Sequence, residues 1–149
     1  MAVSVRVAVG VLGMHSIQQA EDFGHGQIHA PSQSWAGLCQ SFVRHCFGVP
    51  GWAPTAYDAW LKIPEVHRVT GPIGSAPRGA AIYFKRNHVG QERPGHVVLA
   101  TRTHCLSNDI YRHGGIDVAP RDVFVGAWNM KYLGWSLWCP WGLMSEGGP

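Results

Sequence analysis

Apolar and polar positions follow two different periods along this chain, and the change falls near Val66. Before it, the spacing is mostly helical. Leu38, Phe42 and Cys46 recur at three- and four-residue intervals, as do Cys39, Val43 and Cys46. This predicts a half-buried helix that opens almost on Cys39. Ser34 is its expected N-cap, since a serine hydroxyl can satisfy an orphan backbone N–H. Gly48-Val49-Pro50-Gly51 is its expected stop. A second helix is expected over residues 56–62, started by Pro54-Thr55 and closed by Pro64, with Tyr57 and Trp60 facing the first. Ile17 to Phe23 predict one or two further helical turns, and Gly24-His25-Gly26 and Pro31-Ser32 mark loop. At the very start, Val3, Val5, Val7, Val9 and Val11 alternate with Ser4, Arg6, Ala8 and Gly10, which predicts an added edge strand. A stretch translated from upstream of the true start reads the same way.

After Val66 the apolar runs are short and bounded by Gly and Pro. They predict strands over residues 67–70, 80–84, 95–101, 104–110 and 117–120, and around 128–137. Helices first and an antiparallel sheet afterwards describe an α+β chain. Its 149 residues suit one domain, with a core of roughly 30–142 and residues 145–149 as a flexible end or the start of a linker.

Composition narrows the function classes. The 14% charged residues, 19 glycines and 10 prolines describe a loop-rich globular chain. A net charge of +3 favours approach to an anionic polymer such as a bacterial cell wall. Arg and Lys are scattered, so nucleic acid is not an expected partner. No apolar run is long enough to span a bilayer, and Arg6 interrupts the only stretch that resembles a signal peptide. Cys39, Cys46, Cys105 and Cys139 form no C-x-x-C pair, and Cys39 and Cys46 lie two helical turns apart, so reduced thiols are expected.

A cysteine in a helix's first turn has the address of a nucleophile, because the helix N-terminus favours the thiolate. It needs an imidazole to take its proton, and the imidazole needs a polar group to orient it. His96 begins an apolar strand after Pro94-Gly95 and is the expected base. Asn108 and Asp109 lie where an antiparallel neighbour returns to it, and alternation lets only one of them face it. Trp35 and Gln40, on either side of Cys39, are the candidate substrate contacts.

The ordered set of Cys39 at a helix start, Arg78-Gly79-Ala80-Ala81-Ile82-Tyr83-Phe84, Gly95-His96-Val97-Val98-Leu99 and Ser107-Asn108-Asp109 resembles the cell-wall cysteine peptidases. These are the CHAP domains and the related NlpC-like peptidases, and above all the catalytic domains of endolysins from actinobacterial phages. The closing Tyr132-Leu133-Gly134-Trp135 fits the same pattern. The resemblance covers about Trp35 to Trp135. NlpC-like members carry Asp before the nucleophile and Ser-Gly after it, where this chain has Leu38 and Gln40-Ser41. The resemblance implies a papain-like fold and a monomeric, cofactor-free enzyme. Cys39 is then the nucleophile, His96 the base, Asn108 or Asp109 the third group, and the Cys39 N–H part of the oxyanion hole. The implied substrate is peptidoglycan, and the implied location is the host cytoplasm until a membrane lesion gives access to the wall.

Three rivals remain. His96, His104 and Cys105 would make the zinc site of a metal-dependent muramoyl amidase, although adjacent His104 and Cys105 point to opposite faces of a strand. A non-catalytic wall-binding module would keep the fold with an unreactive Cys39. A secreted toxin or remodelling hydrolase would keep the chemistry in another setting.

Overall fold

The computed structural model describes residues 14–146. The strand expected around Val3 to Val11 lies outside these residues. Three helices come first: α1 (Ile17–His29), α2 (Cys39–Phe47) and α3 (Ala56–Lys62). Seven strands and a short helix follow: β1 (Ala81–Arg86), β2 (His96–Ala100), β3 (Cys105–Asn108), β4 (Ile116–Ala119), α4 (Val123–Gly126), β5 (Met130–Ser136), β6 (Trp138–Cys139) and β7 (Gly142–Leu143). Five strands form one antiparallel sheet in the order β4-β3-β2-β1-β5, and β6 and β7 form a separate hairpin. The α+β class therefore holds.

α1 is longer than its apolar pattern suggested. Ser16 caps it through a reciprocal box with Gln19, and it continues through Gly24 and Gly26 to His29. Tertiary packing carries it past these glycines, with Ala20 and Gly24 buried beneath it. α2 ends as expected, with Gly48 in the left-handed region at φ 73°. α3 begins on Thr55, whose hydroxyl accepts the Asp58 N–H at 3.1 Å. Trp60 packs on Tyr83 of β1, and Tyr57 lies under the Arg93 guanidinium in the β1–β2 loop.

Both faces of the sheet are covered, which is why its central strands read as continuous apolar runs. Ala81, Tyr83, Val97, Leu99, Leu106 and Ile116 face the three helices. Ile82, Phe84, Val98, Ala100, Cys105 and Ala119 face the other way, under Phe124 of α4. The buried core runs from Ile17 to Met144, wider than the expected 30–142. Residues 145 and 146 are fastened to the fold: Ser145 O accepts the Ile17 N–H at 2.7 Å, and Arg78 pairs with Glu146 at 3.2 Å. The strand expected at 67–70 reduces to a 3-10 turn (Glu65–His67) and a single bridge from Val69 to Trp135, since Pro64 and Pro72 bound the segment too closely for a ladder.

Candidate active site

Cys39 is the first residue of α2 and lies half-buried against the sheet. The expected cap is absent. Leu38 occupies the N-cap position and makes no side-chain capping bond. Ser34 is too far back, because the chain turns first, with the Leu38 N–H donating to Trp35 O at 3.0 Å. The opening amides of α2 are thus left for other acceptors. The Cys39 thiol takes up part of this potential and also meets the Val97 N–H of β2. Burial nevertheless pushes the thiol up to about 11, and the Asp109 carboxylate adds to the rise, against these amides. Cys39 rests as a neutral thiol. The other three cysteines are free and fully buried.

His96 opens β2, and its side chain leaves on the face opposite α2. Val97 and Leu99 point to the helices, so His96 and Val98 point to α4. The imidazole stands 4.8 Å from the rings of both Phe124 and Trp128. Burial lowers its pKa to about 3, against a smaller opposing pull from Asp109. Its Nε2 lies 2.9 Å from Ser107 Oγ, and that hydroxyl donates to Asn108 O at 2.9 Å. A hydroxyl has one hydrogen, so when Ser107 gives it to Asn108 O it accepts from His96 Nε2, and Nδ1 then keeps its lone pair. Among the described residues no hydrogen bond joins Cys39 to His96. The two meet only through the main chain at Val97.

Among the described residues neither expected orienting residue hydrogen-bonds to His96. The β2–β3 ladder pairs Leu99 with Leu106, and continuing that register would set His96 opposite Asp109. The ladder stops instead. Asp109 turns into the left-handed region at φ 58°, which carries its carboxylate away. Ser107 shares the α4 face with His96 and takes the role. The sequence held this signal in the two-residue spacing from Cys105 to Ser107, but only the knowledge of which face Cys105 occupies makes it usable. Asn108 and Asp109 serve Cys39 in another way. Asn108 Nδ2 donates to Trp35 O at 2.8 Å, and Asp109 accepts from Gly37 N–H at 2.8 Å and Gly114 N–H at 2.6 Å. They tie the loop before Cys39 to the end of β3.

Trp35 is not a substrate contact. It is fully buried, edge-on to Phe42 at 5.5 Å, and its indole N–H donates to Gln27 Oε1 at 3.0 Å. Gln40 does stand at the site. It lines, with Cys39, Ser41 and Arg44 of α2, a cleft of about 300 Å³ whose far wall includes Pro54, Thr55 and Pro94. His96 is not part of that lining.

The zinc arrangement is not assembled. His104 is exposed and its Nδ1 meets Thr103 Oγ1, while Cys105 is buried with its thiol on Ala119 O. Among the described residues no three His, Cys, Asp or Glu side chains gather as a metal site. No helix among them is long and apolar enough to cross a membrane. Compared with family models, curated proteins and solved structures, the chain matches none of them.

Proposed function

We propose that the protein is a papain-like cysteine hydrolase that cleaves an amide bond of bacterial peptidoglycan. The observation that carries this reading is the placement of Cys39. It is the one cysteine that is not fully buried, it borders a cleft at an uncapped helix N-terminus, and its sulfur meets the Val97 N–H, one residue along the chain from His96. The wall as substrate comes from the sequence resemblance and the mild positive charge.

In this mechanism Cys39 Sγ attacks the amide carbonyl and passes its proton to His96, whose ring must first turn from the α4 face toward the cleft. Because both groups rest neutral, proton transfer accompanies attack and does not precede it. The first amides of α2 receive the developing oxyanion. His96 returns the proton to the leaving amine, and water then hydrolyses the thioester. Ser107 holds the tautomer, and Asn108 and Asp109 hold the loop that sets the thiol.

A second reading, a wall-binding module of the same fold, is favoured by one finding: the thiol is held neutral and has no hydrogen bond to His96. Turbidity loss of purified actinobacterial walls separates the two. Wild type, Cys39→Ser and Ser107→Ala are compared with and without chelator. Lysis by wild type, lost in Cys39→Ser, reduced in Ser107→Ala and indifferent to chelator, is the expected result. Wall binding without lysis by any form gives the protein to the binding module. Lysis that survives Cys39→Ser and stops in chelator overturns both.

A further inference from the structure

The cleft beside Cys39 carries chemistry that the proposed hydrolysis does not use. Arg44 is the one charged side chain in its lining. It lies on the same side of α2 as Gln40, four residues on. Among the described residues no carboxylate pairs with it, and its guanidinium makes only one long bond, Nη1 to Val49 O at 3.4 Å. Gly51 lies beside the guanidinium: a Cβ there would make ordinary van der Waals contact, 3.6 Å from Arg44 Nε and 4.0 Å from Cζ. Gln40 stands beside Arg44, only 7% exposed, with its carboxamide oxygen enclosed and without a hydrogen-bond partner among the described residues.

We infer that this end of the cleft is a carboxylate subsite: Arg44 binds a free carboxylate of the bound peptide. The subsite rests on the hydrolase reading for its scissile bond. Arg44 lies five residues along α2 from Cys39, a rise of about 7.5 Å. An extended peptide covers that distance in about two residues. The preferred substrate therefore carries an unamidated carboxyl group a few residues from the bond that is cut. The same peptide with that group as a carboxamide loses the charge-assisted pair.

The test uses the full chain with Cys39→Ala, so that binding is read apart from turnover. The probes are two synthetic stem peptides, identical except that one bears the free carboxylate and the other the carboxamide. Calorimetry is expected to give about tenfold tighter binding of the carboxylate form, a moderate value for a charged hydrogen bond. Adding Arg44→Gln removes the preference, and Arg44→Lys retains part of it. If Arg44 only stabilises the last turn of α2, Arg44→Gln lowers the melting temperature and leaves the preference intact, which overturns the subsite. Equal binding of both peptides, or binding of neither, also overturns it. A preference in the Cys39→Ala protein, with no cleavage of either peptide by wild type, upholds the subsite and removes the hydrolase reading alone.

Discussion

His96 makes the fold sensitive to acid by an amount that can be worked out and isolated. Its pKa falls from an ordinary 6.5 to about 3 because the ring is enclosed by Phe124, Trp128 and the sheet. The unfolded chain takes up a proton below pH 6.5 that the folded chain refuses until about pH 3. The stability held by the neutral ring is thus complete above pH 6.5 and is lost as pH falls. Each pH unit in that window costs about 1.4 kcal/mol. From pH 7 to 4.5 the loss is about 3 kcal/mol, a large share of the roughly 5–15 kcal/mol that holds a typical domain together. His96→Gln removes the titration and keeps an N–H for Ser107 Oγ. Urea unfolding followed by the fluorescence of the seven tryptophans reads both proteins at both pH values. Wild type is expected to lose about 3 kcal/mol more than the variant between pH 7 and 4.5. Other acid-sensitive groups, such as Asp58 with its carboxyl lowered first by the Thr55 hydroxyl and then by Arg93, are common to both and cancel. Equal losses in the two proteins would refute a buried, proton-refusing imidazole and the tautomer argument that depends on it.

Alkylation of native protein by iodoacetamide, mapped by mass spectrometry, is expected to reach Cys39 first, slowly at neutral pH and about tenfold faster per pH unit up to pH 10; a plateau below pH 9 would show a thiol that burial does not control. Asp109→Asn leaves one oxygen where two accept the Gly37 and Gly114 amides, so it is expected to cost about 1–3 kcal/mol in urea. The same variant removes a carboxylate that disfavours the thiolate, and Cys39 alkylation is expected to shift to lower pH; an unchanged profile and midpoint would detach Asp109 from the loop. Gly95→Ala places a Cβ at φ 73° and 2.6 Å from Phe84 O, where Gly90→Ala at φ 81° meets nothing within 4 Å. The first is expected to lower stability by at least about 2 kcal/mol more than the second, and equal losses would show that the backbone at Gly95 is not held against Phe84 O.

Sequence pattern alone determined the division into helices and then strands, because period and breakers are local properties. It placed α2 on Cys39, α3 on Thr55-Ala56 and β2 on His96, and it singled out Cys39 and Gln40, which line the cleft. What it could not determine was which face of the sheet each strand residue occupies. β2 is covered on both sides, so its apolar run carries no alternation to say whether His96 points to α2 or to α4. That decision lies with α4, a four-residue helix whose Phe124 closes the second face and whose pattern is too short to announce itself. The same limit explains Ser107, Asn108 and Asp109. Their order along β3 was visible, but the end of the ladder after Leu99–Leu106 and the turn at Asp109 depend on the loop that Gly37 and Trp35 bring across from seventy residues away. Trp35 follows the same rule: its place beside Cys39 in sequence points to the cleft, and only the packing of α1 against α2 puts it in the core. Local physics set the elements; long-range contacts decided which side chains face one another across them.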